Sequence, residues 1–244
     1  MPLSGNWPDG VGRSVLPQVD STNAEAARRM AAFAGPEWIL TLRQTAGRGR
    51  RGRAWHDPEG NFAASYLFRP EMPPAQAALY SFVTALALQE ALIAATGRPD
   101  SFALKWPNDV LLHGAKLAGI LLESAGPFLT IGIGVNLVAH PDADAGALRP
   151  VSLQGETGLR VAPEEFLDLL APAFAHWQTQ FTTYGFAPIR TAWLARAARL
   201  GEKITARTVT DSHEGTFEGI DDTGALLLRG AHGLRAIPAA DVFF

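Results

Sequence analysis

Three strands crowd together between residues 102 and 135, and this stretch limits the possible folds more than any other. They are 102–106 with 109–112, then 116–123, then 128–135, all rich in leucine, isoleucine and valine. The linkers His113-Gly114-Ala115 and Ala125-Gly126-Pro127 are too short for the crossover that parallel neighbours require. These strands must therefore pair antiparallel. A sheet of this kind needs apolar cover, and the flanking sequence supplies it.

Upstream, an extended lead at 15–19 runs into Asp20-Ser21-Thr22-Asn23. Glu25 lies three residues beyond Thr22, the spacing of a capping box, and a helix is predicted over 23–33. A strand at 38–42 and an alternating strand at 61–68 enclose a glycine-arginine loop at 47–53 and a turn at 57–60. Leu79, Phe82, Val83, Leu86 and Ile93 fall on one face of a long helix predicted over 75–96, which ends before Gly97 and Pro99. Downstream, 140–157 reads as a loop. Segments 163–184 and 188–200 read as helices with proline in the first turn. After Gly201 come four short strands at 203–210, 215–220, 225–229 and 234–237. The sequence predicts an α/β (α+β) protein: a mixed or antiparallel sheet with helices over 1–199, then a small β-barrel over 200–244 that docks on it. A barrel of that size is near the lower limit for folding alone.

The formal charge of −3 gives no global basic field to recruit nucleic acid or an anionic membrane. No cysteine is present, so there is no disulfide framework and no thiolate chemistry, which fits a reducing cytoplasm. Residues 1–10 have neither the basic start nor the apolar core of a secretory signal. Apolar runs such as 117–122 fall far short of the ~20 residues that cross a bilayer.

Residues 44–55 read QTAGRGRRGRAW. Gly47, Gly49 and Gly52 fit the glycine spacing of a dinucleotide fold, but no helix opens after them; Trp55-His56-Asp57-Pro58 leads into a turn. What remains is a flexible loop bearing Arg48, Arg50, Arg51 and Arg53. Its forked donors suit phosphate or carboxylate. A solvated basic turn and an RNA-binding arginine-glycine segment are the other readings.

Lys105 and Lys116 stand in otherwise apolar strands, where a charge needs a partner. Asp109 is available as a plain ion-pair partner. Alternatively, Lys116 faces a pocket and binds an anion, with Gly119 admitting a ligand alongside. Gly132 and Gly134 weaken the strand they occupy, so they mark either a bulge or a ligand against the backbone. Asn136 ends that strand with a donor and an acceptor. Ser21, Thr22 and Asn23 form either a helix cap or a polar ligand site at a helix N-terminus.

In order and spacing, five segments resemble the biotin–protein ligases: 20–23 (DSTN), 44–55, 105–109 (KWPND), 116–123 (KLAGILLE) and 132–136 (GIGVN). The resemblance implies a catalytic domain like the class II aminoacyl-tRNA synthetases, followed by an SH3-like barrel. It implies ATP, Mg²⁺ and biotin as reactants, and a biotin carboxyl carrier domain of acetyl-CoA carboxylase as partner. Lys116 would meet the biotin carboxylate and the α-phosphate. Arg48 and Arg50 would fold over the adenylate, with Arg51 and Arg53 assisting. Ser21, Thr22, Asn23, Gln44, Gly47, Gly119, Gly132 and Gly134 would surround biotin, and Trp55 and Asn136 the nucleotide. Asp109 would serve as base or orient the incoming amine. The metal ligands are not identified. The stretch before Val15 is too short for the helix-turn-helix of repressor members, so no DNA partner is expected. Exposed sheet edges would allow a homodimer. A lipoate–protein ligase shares this logic and is the nearest rival, and an arginine-loop nucleic-acid module is the rival of another class.

Overall fold

The computed structural model describes residues 7–142 and 148–244. The first six residues of the N-terminal segment and 143–147 of the loop at 140–157 lie outside the described residues. Seven strands form one mixed sheet in the order β1-β2-β3-β7-β6-β5-β4. They are β1 (Gly12–Leu16), β2 (Glu37–Thr41), β3 (Phe62–Phe68), β4 (Phe102–Lys105), β5 (Asp109–Leu112), β6 (Ala115–Ala125) and β7 (Phe128–Val135). β4 through β7 pair antiparallel, as the short linkers require. β1 and β2 alone run parallel, joined by α1 (Thr22–Arg29).

Helices cover both faces, so β3 is buried along its whole length. Its alternate residues Phe62, Ala64, Tyr66 and Phe68 enter the main core together with α3 (Tyr80–Thr96) and α5 (Pro163–Tyr184). Leu67 enters a smaller cluster with Ile39 and Ala26 of α1 on the opposite face. β7 alternates in the same way. Leu129, Ile131, Ile133 and Val135 enter the main core, while Gly132 and Gly134 line a cleft on the other face.

The helix predicted over 75–96 is broken. A single turn, α2 (Pro74–Ala77), precedes α3, and Gly97 ends α3 at a left-handed φ of 68°. The capping box at Thr22 and Glu25 is not formed. Ser21 is the N-cap without a side-chain bond, and Glu25 pairs with Arg28 and Arg29 instead. The loop at 140–157 contains a short helix, α4 (Leu153–Thr157), capped by Ser152. After α5, the helix α6 runs Phe186–Leu194.

The C-terminal strands are β8 (Lys203–Arg207), β9 (Ser212–Ile220), β10 (Leu226–Gly230), β11 (Gly233–Ile237) and β12 (Asp241–Phe243). They form one antiparallel sheet in the order β11-β10-β9-β8-β12. Its edge strands do not pair with each other, so the closed barrel expected from the sequence is an open sheet. Three-residue β12 has β8 as its partner, and its Asp241 turns to the arginine loop. The sheet packs on the larger part through a shared core that includes Ile204, Phe217, Leu226 and Val242. Trp106 is buried there and donates from Nε1 to Gly224 O at 2.9 Å. Among the described residues no helix is long and apolar enough to cross a membrane.

Candidate functional site

The cleft encloses ≈ 1310 Å³ and receives residues from α1, the arginine loop, β5, β6, β7 and β12. At its floor Lys116 Nζ lies 2.8 Å from Asp109 Oδ1, and Lys105 Nζ lies 3.7 Å from Asp109 Oδ2. Lys105 and Asp109 are each 8% exposed. Burial pushes the Asp109 carboxyl up, but the charges of Lys116 and Lys105 outweigh it and hold the carboxyl below its ordinary value. Burial lowers Lys105, with Asp109 opposing. Asp109 is therefore a fixed anion between two cations. Lys116 is half-buried with one side toward the cleft. The ion pair expected from the sequence exists, and Lys116 also lines the cleft.

The arginine loop is a small hairpin. Trp55 N donates to Gly47 O at 2.9 Å, and Gly49 N donates to Arg53 O at 2.7 Å. Its tip turns at Arg51 and Gly52, both at left-handed φ (57° and 72°). Three of its arginines converge on Asp241 of β12. Arg51 Nη1 is 2.8 Å from Oδ2, Arg53 Nη2 is 3.3 Å from Oδ1, and Arg50 Nη1 is 3.8 Å from Oδ1. Arg50 also donates to Asn108 Oδ1 at 3.0 Å. Burial lowers the Arg50 guanidinium, and Asp241 and Asp109 oppose this. Arg48 Nη2 sits 3.6 Å from Glu123 Oε2. Arg48, Arg50 and Arg53 line the cleft; Gly47 and Arg51 belong to the loop but not to the lining.

Gly132 and Gly134 do approach other groups closely, but the groups are the protein's own. A Cβ on Gly132 would lie 2.4 Å from Asn23 Oδ1, and one on Gly134 would lie 2.3 Å from Trp55 Cε2. A side chain at either strand position would force Asn23 or Trp55 to move. Trp55 thus lies over Gly134 and close to Gly119, with Lys116 Nζ 5.9 Å from its ring centroid. Its Nε1 is buried without a partner among the described residues.

Ser21, Thr22 and Asn23 are buried and line the cleft, and so does Gln44. Thr22 N donates to Gln44 Oε1 at 2.8 Å. Asn136 donates from Nδ2 to Val151 O at 3.1 Å, while its buried Oδ1 has no partner among the described residues.

Three residues escaped the sequence reading. Ser65 lies under the floor, 2.7 Å from Thr22 Oγ1. Asp57, read only as a turn residue, accepts from Gln44 N at 2.9 Å. Burial pushes its carboxyl up to about 6, opposed by that bond. Asp241 had no signal, because it lies beyond the last strand expected from the sequence. Among the described residues no cluster of three His, Asp or Glu side chains could hold a metal.

Residues 15–136 match the Biotin/lipoate A/B protein ligase family, and residues 200–244 match the Biotin protein ligase C terminal domain. The chain is 60% identical to the biotin–[acetyl-CoA-carboxylase] ligase of Paracoccus denitrificans, over 94% of this chain and 99% of that one. It is 32% identical to the bifunctional ligase/repressor BirA of Bacillus spizizenii, over 93% of this chain and 73% of the relative. The fold superposes on Aquifex aeolicus biotin protein ligase in complex with biotin and ATP with a TM-score of 0.85. Identity there is 26%, with 95% of this chain and 98% of that chain covered.

Proposed function

The chain belongs to the biotin/lipoate A/B protein ligase family, and from that premise we infer that it is an ATP-dependent biotin–[acetyl-CoA-carboxylase] ligase. The observation that carries this reading is a single cleft with Lys116 on its floor and Arg48, Arg50 and Arg53 on the facing loop. The two reactants that must meet, a carboxylate and a triphosphate, are both anions. A biotin carboxylate oxygen attacks the α-phosphorus, a phosphoanhydride bond breaks, and pyrophosphate leaves. Lys116 neutralises the carboxylate and α-phosphate as they approach, and the loop arginines take the remaining phosphate charge. Charge placed in advance is usually the largest catalytic contribution.

Asp109 holds the Lys116 ammonium in place, 2.8 Å from its Oδ1. With its carboxyl held below the usual range, it is a poor proton acceptor. We therefore assign it orientation rather than base catalysis. In the second step the carrier lysine, as a free amine, attacks the acyl carbon of biotinyl-5′-AMP, and AMP leaves. The biotin ring is assigned to Ser21, Thr22, Asn23, Gln44 and the backbone near Gly47, Gly119, Gly132 and Gly134. The nucleotide is assigned to Arg50, Arg51, Arg53, Trp55 and Asn136. Trp55 must then share the floor with the ligand or swing aside. Mg²⁺ would enter with ATP, because among the described residues no acidic cluster could hold it and this ion keeps water and substrate ligands readily.

The partner is the carrier domain of acetyl-CoA carboxylase, and the setting is the cytoplasm. Residues 1–199 and 200–244 are taken as catalytic and C-terminal units. A homodimer would use an open sheet edge such as β1. Incubation with biotin, MgATP and a biotin carrier domain, followed by intact mass measurement, tests the reading. The carrier should gain one biotinyl group, and no gain would refute it. A lipoate ligase would instead be stabilised against heat by lipoate and not by biotin.

A further inference from the structure

A hydrogen-bonded chain under the cleft floor ties Asn23, Thr22 and Gln44 to Ser65 and Glu123, two residues that the reaction as described does not use. Glu123 Oε2 accepts from Asn23 Nδ2 at 2.7 Å. Asn23 Oδ1 is 2.6 Å from Ser65 Oγ, Ser65 Oγ is 2.7 Å from Thr22 Oγ1, and Thr22 Oγ1 is 3.2 Å from Gln44 Oε1. Ser65 is fully buried and Asn23 is 5% exposed, so bulk water does not replace a lost partner.

Counting protons gives the chain a direction. A carboxylate only accepts, so Asn23 must turn its NH₂ to Glu123 and its carbonyl to Ser65. That carbonyl takes the single Ser65 proton. Thr22 must then donate to Ser65, which leaves the long contact to Gln44 without a proton. The Gln44 carbonyl is satisfied by Thr22 N instead, so Gln44 Nε2 keeps both of its protons. The floor therefore shows acceptors at Asn23 Oδ1 and Thr22 Oγ1, and a donor at Gln44 Nε2. A cyclic urea, with N–H donors beside a C=O acceptor, matches that pattern. A dithiolane ring has neither.

We propose that Glu123, which reaches the cleft floor only through Asn23, is a positioning residue that sets the hydrogen-bond polarity of the head-group site and so selects the cyclic urea of biotin. The proposal rests on the reading that biotin is the acyl substrate. Glu123 also faces Arg48, so its role must be separated from anchoring the loop.

The test is a calorimetric titration of the full chain with biotin, and with desthiobiotin, which keeps the urea ring and lacks the sulfur. It is run on Glu123→Gln and Glu123→Asp, alone and combined with Arg48→Ala. Glutamine can donate, so it lets Asn23 turn over and reverses the chain. Glu123→Gln should raise the Kd of both ligands by about tenfold, the scale of one hydrogen bond. The rise should persist beside Arg48→Ala, KM for ATP should stay unchanged, and Glu123→Asp should restore most of the affinity. An unmoved Kd, or a rise that vanishes beside Arg48→Ala, overturns the proposal while the functional reading stands. A wild-type chain that binds lipoate and not biotin overturns that reading, and the proposal with it.

Discussion

The floor of the cleft and the loop that faces it carry the same sign of charge but are held in opposite ways. On the floor, Lys116 is paired with an Asp109 that is 8% exposed and belongs to a hydrogen-bonded strand. On the loop, Arg51 and Arg53 meet Asp241 with side chains 39% and 61% exposed. Breaking a buried pair costs ~3 kcal/mol or more, whereas an exposed pair contributes about 1 kcal/mol or less. The floor is thus fixed before any ligand arrives, and the loop is parked on a carboxylate that a phosphate can displace. Placing reacting groups needs rigidity, while admitting substrate and shielding an adenylate from water need release.

Lys116→Ala should break the fixed side most severely. Pyrophosphate release should fall by about a hundredfold or more, and the melting midpoint should fall as well, because the buried Asp109 loses its nearer partner and keeps only Lys105. Unimpaired release would remove Lys116 from the chemistry. Asp109→Asn should leave two cations facing each other and cost ~3 kcal/mol of stability, read as a lowered denaturant midpoint. On the releasable side, Arg50→Ala should leak biotinyl-adenylate about tenfold faster, seen as label on unrelated lysines; retention equal to wild type would end the role of the loop as a lid.

Asp241→Asn should act more weakly. By removing the parking site it should change KM for ATP by about threefold at low salt, and by less at high salt, where exposed pairs are screened. An effect that ignores salt would mean that the loop is held by something else.

Asp57→Asn has the smallest expected effect, on a largely buried carboxylate at the cleft wall that accepts from Gln44 N. Burial raises this carboxyl from 3.8 to about 6, so the folded state prefers it protonated. The stability it contributes is present below pH ~4 and lost as pH rises through ~6. The variant should melt a few degrees higher near pH ~7.5 and about the same as wild type near pH ~4.5. The opposite order would show that the ionised carboxyl is wanted.

The sequence exposes the fixed side better than the releasable one. Tight linkers dictated the antiparallel order of β4 to β7, and lysines in apolar strands pointed to Lys116 and Asp109. Strand alternation left Gly132 and Gly134 opposite the core residues Ile131, Ile133 and Val135. What fills those gaps was not legible, because Trp55 and Asn23 reach them from distant segments. Short elements were also hidden. β12 has three residues and α4 five, too few for any period to appear. Asp241 and Ser65 carried no local signal, since each acts only through tertiary contact. The Thr22–Glu25 spacing misled for a physical reason: Arg28 and Arg29 offer Glu25 full charges, stronger partners than a backbone amide.

A crystal structure with a non-hydrolysable biotinyl-adenylate analogue bears on all of this most directly. Lys116 Nζ should lie within hydrogen-bonding distance of the oxygens that join acyl group to phosphorus, its pairing with Asp109 intact. The arginines should have left Asp241 for the ligand. A ligand bound elsewhere, with Lys116 turned to solvent and the loop still on Asp241, would contradict the account.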